Sequence, residues 1–255
     1  MAASNETVPL FIGSAFIGSA DRPMGKAKAE AEAHFRPAAR MQGSILSAAE
    51  KRALVWMARR LPARINSDHL TLLGTASMAL AGTSYALARW NRWMLVAATL
   101  SLALNWLGDS LDGTLARVRN RQRPRYGFYV DHVVDALGAT FLLAGLALSG
   151  YMHPLAALAM LVAFHLVQIE VHLATYALGR FHLSFFRLGP TEARVILAIG
   201  NLALLWKPMV HLFFLGRPVR LFDVGGLIAT AGLLLIFVVS AARHTRELCR
   251  LEPLP

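Results

Sequence analysis

The sequence predicts an all-α, polytopic membrane protein, with six transmembrane helices preceded by a juxtamembrane amphipathic helix. Three observations predict it. Of 255 residues, 56% are hydrophobic and 16% charged, and the mean hydropathy is +0.47, more apolar than a soluble domain. Apolar stretches of about 20 residues recur, the length that crosses about 30 Å of hydrocarbon. Basic residues gather in the connections between them. In a soluble protein, a formal charge of +11 would suggest nucleic acid as a partner. Here the cations flank apolar segments, so topology and anionic membrane lipids account for them, and no nucleic-acid partner is expected.

Residues 1–43 are rich in Ala, Gly, Ser and charge and are expected to be disordered. Val8–Ala20 is mildly apolar, but acidic Glu6 precedes it with no basic leader, so no secretory signal is expected. Residues 44–66 form the juxtamembrane segment. Leu54, Met57, Leu61 and Ile65 share one helical face, and Arg52, Arg59 and Arg60 lie away from it. The six spans are expected near 68–88, 93–117, 127–149, 154–178, 190–214 and 221–242, forming one catalytic domain over 67–243 with a tail from 244 to 255. Pro154 and Pro190 suit first-turn positions. Gly150, Gly179 and Gly216 suit helix ends. Fourteen basic residues fall on the side of the chain's ends and five on the other. The positive-inside rule therefore puts both termini in the cytoplasm. The lone Cys249 excludes an intramolecular disulfide and a multi-cysteine metal cage.

Four aspartates interrupt the apolar runs: Asp109 and Asp112 in the second span, Asp131 and Asp135 in the third. An ionised carboxylate at membrane depth costs several kcal/mol, so such groups face a polar cavity and mark a function. Asp109, Asp112, Gly113 and Ala116 follow i, i+3, i+4 and i+7 spacing, one helical stripe. Asp131 and Asp135 follow i, i+4, a second stripe. A short basic loop joins the two spans, so they are expected to be antiparallel neighbours with facing stripes. Four carboxylates this close need compensating cations, and two divalent ions would balance them. All-oxygen ligands suit Mg²⁺ or Mn²⁺. Such paired ions clamp a phosphate under in-line attack. Arg117 ends the second span, where a guanidinium can hold phosphate oxygens. By helical rise Asp109 lies ~12 Å deeper, which describes a cavity inside the membrane boundary and open to the cytoplasm.

The pattern Asp109-x₂-Asp112-Gly113-x₂-Ala116-Arg117-x₉-Gly127-x₃-Asp131-x₃-Asp135 resembles the hallmark of the CDP-alcohol phosphotransferases at all eight positions. The stretch Ile65–Thr71 is similar to the one that opens the family's first helix, though Ser67-Asp68 stands where the common form has Pro-Asn. The resemblance implies a phospholipid-synthesis transferase. A CDP-linked alcohol would donate its phosphoalcohol to an acceptor alcohol and release CMP, one of the two substrates being a lipid. Asp109, Asp112 and Asp131 would hold the metals. Asp135 would touch the second metal and act as the base. Gly113, Ala116, Arg117 and Gly127 would shape the nucleotide and diphosphate pocket. A homodimer is implied as well. The six-helix build resembles the bacterial members, which implies the bacterial inner membrane or its equivalent, with a cytoplasmic active site. Two directions stay open: CDP-diacylglycerol with a small polar alcohol, or CDP-choline or CDP-ethanolamine with diacylglycerol.

The alternative function is a cation- or proton-coupled transporter using the intramembrane carboxylates. It gives no reason for Arg117 beside them. Among secondary candidates, Arg180, Arg187, Glu192 and Arg194 surround the start of the fifth span. They are contacts for an anionic acceptor or a lipid phosphate, or else topology-setting charge with a glutamate suited to the helix dipole. His165, Gln168 and His172 share a face of the fourth span and line an acceptor pocket or bond between helices. Asn105 either orients a carboxylate or packs.

Overall fold

The computed structural model describes residues 47–178, 190–207, 209–211 and 218–253. Residues 1–43, Gly179, Arg180, Arg187 and Gly216 lie outside the described residues. Seven helices are described: α1 Ser47–Arg60, α2 Ser67–Leu87, α3 Met94–Val118, α4 Pro124–Leu148, α5 Pro154–Leu178, α6 Pro190–Trp206 and α7 Leu221–Leu251. The strands β1 Met209–His211 and β2 Pro218–Arg220 pair antiparallel between α6 and α7. Helices α2, α3, α4, α5 and α7 are long and apolar enough to cross a membrane.

The expected spans match these helices within a few residues, with two exceptions. The fifth span ends at Trp206, not 214, leaving 17 residues. Lys207-Pro208 follows, and a residue before proline is driven out of the helical region. The last helix continues to Leu251 instead of stopping near 242. Its final turns, with Arg243, Arg246 and Arg250, are polar but carry no helix breaker. Pro124, Pro154 and Pro190 each open a helix, where the missing N–H is no loss. Gly150 follows α4 with φ +80°, a left-handed position that favours glycine.

Helix α2 is the hub. It packs against both α3 and α4, whereas α3 and α4 scarcely touch. The two expected neighbours thus face each other across a gap instead of packing closely, and the cause is small residues on α2. Gly74 meets Gly108 of α3 so closely that a Cβ on Gly108 would lie 2.7 Å from the Leu70 carbonyl. Gly82 meets Gly145 of α4, and a Cβ on either would run into the other helix's backbone. Small residues allow such approaches where lipid supplies no hydrophobic drive between helices. Held apart by α2, α3 and α4 leave a cleft between them.

The amphipathic helix α1 lies along the last turns of α3. Leu54 and Ala58 are buried against Leu70, Leu111 and Leu115, with Met57, Leu61 and Ile65 beside them. Trp106 Nε1 donates to Glu50 Oε1 at 3.2 Å. Beyond α1, Arg119 donates to the carbonyls of Leu61, Pro62 and Ile65. The guanidinium thus satisfies three carbonyls just past a helix end.

Helix α7 is held mainly by α5. Glu170 of α5 is buried; it accepts from Ser240 Oγ at 2.8 Å, and His244 Nδ1 lies 2.5 Å from its other oxygen. Interhelical hydrogen bonds in membranes are worth about 0.6 kcal/mol each and at most about 1.7. Glu170→Ala, which removes two, should lower the unfolding free energy of the purified protein by about 1–2 kcal/mol. Thermal unfolding in detergent checks this, with Ser240→Ala expected to give roughly half the loss.

Candidate active site

One cavity is lined by all four aspartates: Asp109 and Asp112 from α3, Asp131 and Asp135 from α4. Helix α2 supplies its floor with Thr71, Gly74, Thr75 and Met78, and α6 reaches in with Arg194. The two helical stripes therefore do face one another, across a cleft instead of across a packed interface.

Each wall is fixed by identifiable bonds. Thr71 Oγ1 donates to Asp112 Oδ2 at 2.7 Å, and the Gly113 amide donates to Oδ1 at 2.5 Å. Ser67 Oγ donates to the Asp112 carbonyl at 2.8 Å, tying the start of α2 to α3. This gives the Ser67-Asp68 departure a local role, because Asp68 also pairs with Arg123 across the loop. On the other side, Arg194 Nη2 donates to Asp109 Oδ2 at 2.8 Å. Its placement follows from α6. Asn201, two turns along the same face, accepts from Tyr85 OH at 2.8 Å and donates to Thr99 Oγ1 at 3.0 Å. Both Tyr85 and Asn201 are fully buried. That network ties α6 to α2 and α3, with Arg194 beside the carboxylates.

Of the other predicted site residues, Gly113, Ala116, Arg117 and Gly127 do not line the cavity. Gly113 directly follows Asp112, and Ala116, Arg117 and Gly127 sit about one turn beyond the lining aspartates, toward the connection between α3 and α4. Arg117 is exposed, donates to Thr114 Oγ1 at 3.1 Å and folds over Gly113, where a Cβ would lie 3.4 Å from the guanidinium. A Cβ at Gly127 would meet nothing within 4 Å. Glu192 lies in the first turn of α6, outside the cavity lining. Thr71, Thr75 and Gly138 were not anticipated as site residues. Only their helical spacing from Gly74 and Asp135 could have suggested them.

A family profile described as CDP-alcohol phosphatidyltransferase matches residues 65–241. The chain belongs to this family. The matched region runs from the end of the α1–α2 connection through most of α7, and so contains the whole cleft. The family's reaction is phosphatidyl transfer from a CDP-alcohol, and its members are membrane transferases of phospholipid synthesis. Five apolar helices and this membership make the chain an integral membrane protein. No curated protein matches the chain by sequence.

The donor chemistry of the cleft suits a hard cation. Its lining offers carboxylate, hydroxyl and amide oxygens and neither thiolate nor imidazole. Among the described residues, no three acidic, histidine or cysteine groups come together so as to hold a metal ion by themselves. An open arrangement fits Mg²⁺ or Mn²⁺, since Mg²⁺ keeps several waters and is shared between one or two carboxylates and substrate phosphates.

Proposed function

We propose that this cleft transfers a substituted phosphate from a CDP-linked alcohol to an acceptor alcohol and releases CMP. The observation that carries the proposal is the convergence of Asp109, Asp112, Asp131 and Asp135 on one cavity between α3 and α4. Asp109, Asp112 and Asp131 are the residues that would hold two divalent cations, with Asp135 contacting the second. Bound there, Mg²⁺ or Mn²⁺ would neutralise the diphosphate and the departing CMP.

The protein's own groups do the rest. Asp135 lines the cavity yet is the most open of the four carboxylates. That suits a base reached by an incoming hydroxyl. It takes the hydroxyl proton as the new O–P bond forms and the P–O bond to CMP breaks. Gly113, Ala116, Arg117 and Gly127 form the rim toward the α3–α4 connection and receive the nucleotide. Arg117 can swing from Thr114 to the diphosphate, because a hydroxyl is a weaker partner than an anionic oxygen. Arg117→Ala should raise KM for the CDP substrate roughly tenfold, the worth of one hydrogen bond to a charged group. An unchanged KM would count against that role. Arg194 and Glu192 lie in the first turns of α6, and these two, with Arg180 and Arg187 that precede them in sequence, would meet an anionic acceptor or lipid phosphate.

The topology follows the positive-inside rule, with both termini and the cleft's mouth on the cytoplasmic side. The outer face of α1 supports that side. Lys51, Arg52, Val55, Trp56, Arg59 and Arg60 line one concavity, with the Arg60 guanidinium 3.7 Å from the Trp56 ring centroid. Cations interleaved with an aromatic ring suit anionic headgroups.

The test is CMP release by the purified protein with Mg²⁺. One arm supplies CDP-diacylglycerol and a panel of polar alcohols. The other supplies CDP-choline or CDP-ethanolamine with diacylglycerol. CMP is expected in one arm and identifies the acceptor. No CMP in either arm, with cation flux in liposomes, would overturn the proposal.

A further inference from the structure

Asn105 sits on α3 one turn before Asp109 and is 6% exposed. It lines the same cavity as the four aspartates. Its Nδ2 donates to the Gly74 carbonyl on α2 at 2.9 Å. A carbonyl can only accept, so this bond fixes which end of the amide is which. The other end, Oδ1, is the one buried side-chain polar atom with no partner among the described residues. A buried acceptor left unmade costs about 1–3 kcal/mol. The hydroxyl donors of the lining are committed elsewhere: Thr71 donates to Asp112 and Thr75 to the Thr71 carbonyl at 2.8 Å. The partner of Oδ1 must therefore be something the cavity takes in.

We propose that Asn105 Oδ1 is an outer acceptor of the cation site, accepting a hydrogen bond from a water on the cation held by Asp109. This rests on the reading of the cleft as a divalent-cation site. The register selects water over direct contact. Asn105 lies one turn, about 6 Å along the axis, from Asp109, which leaves room for a water between the amide and a cation on that carboxylate. Mg²⁺ and Mn²⁺ prefer oxygen ligands, and Mg²⁺ retains waters that need acceptors. A neutral amide supplies an acceptor without adding a fifth negative charge. It is also rigid: the Gly74 bond clamps the amide, and the close Gly74–Gly108 approach holds the two helices in register. Asn105 is in this sense a positioning residue. It orients the cation's water shell and does not touch the reacting atoms.

The experiment titrates Mn²⁺ into the purified full-length protein by electron paramagnetic resonance. Wild type is compared with Asn105→Ala, with Asn105→Ser, which keeps a small polar side chain, and with Asp112→Asn. Thermal unfolding is followed with and without Mn²⁺. Loss of an outer-sphere partner typically weakens metal affinity about 10–100-fold, so roughly a tenfold rise in Kd is expected for both Asn105 variants, with a smaller cation-induced rise in Tm. A purely structural Asn105 would lower Tm equally with and without Mn²⁺ and leave Kd unchanged, which overturns the proposal. Wild type failing to bind Mn²⁺ would overturn the cation reading itself, a separate result. A further measurement needs no variant. In protein labelled with ¹³C at asparagine side-chain carbonyls, saturating Mg²⁺ should shift one carbonyl band in the infrared difference spectrum. No shift would also overturn the proposal.

Discussion

Asp135→Asn is expected to abolish measurable CMP release while leaving cation and nucleotide binding detectable. A positioned general base contributes about 10²–10⁴-fold to rate, and an amide cannot take the proton. Asp135 is more exposed than Asp109, Asp112 and Asp131, so its replacement disturbs the walls of the cleft least. By contrast, Asp112→Asn should reduce cation binding as well, because Asp112 is held by Thr71 and the Gly113 amide as part of the wall. Assaying turnover beside Mn²⁺ titration separates the two roles. Full activity in Asp135→Asn would remove the base assignment.

The largest structural effect is expected from Gly82→Leu. A Cβ at Gly82 would collide with the Phe141 carbonyl, and Gly145 meets Gly82 in turn. Backbone atoms cannot rotate aside as a side chain can, so α2 and α4 must separate. Overpacking a fitted interior costs about 1–3 kcal/mol and sometimes more, and two rigid helices pushed apart belong at the upper end. Separating α2 from α4 also moves Asp131 and Asp135 away from α3, so activity should fall together with stability. Gly232→Leu is the control, since a Cβ there meets nothing within 4 Å. Expression and thermal unfolding of both variants check this. Near-wild-type behaviour of Gly82→Leu would contradict the packing described for α2.

Much of the fold was legible because lipid simplifies the code. Apolar runs of fixed length give the helices, and Pro154 and Pro190 start two of them. The four aspartates were legible because their spacing puts them on helical stripes and because charge at that depth needs a reason. Three features were not legible. Loop length made α3 and α4 neighbours with facing stripes, but that α2 holds them apart rests on the partners of Gly82 and Gly108, long-range facts that no periodicity encodes. The pairing of Arg194 with Asp109 depends on the Tyr85–Asn201–Thr99 network, whose members lie more than 100 residues apart in two of its contacts. The partners of Glu170 on α5, Ser240 and His244, come from the far end of the chain. Local pattern locates groups on a helix, and tertiary packing decides what they meet.

The central claim is that carboxylates from α3 and α4 hold divalent cations between them. Crystals of the protein soaked in Mn²⁺, measured by anomalous diffraction, test it most directly. Two peaks are predicted in the cleft, a few Å apart, flanked by Asp109, Asp112, Asp131 and Asp135. An empty cleft at saturating Mn²⁺, or peaks confined to surface sites elsewhere, would contradict it.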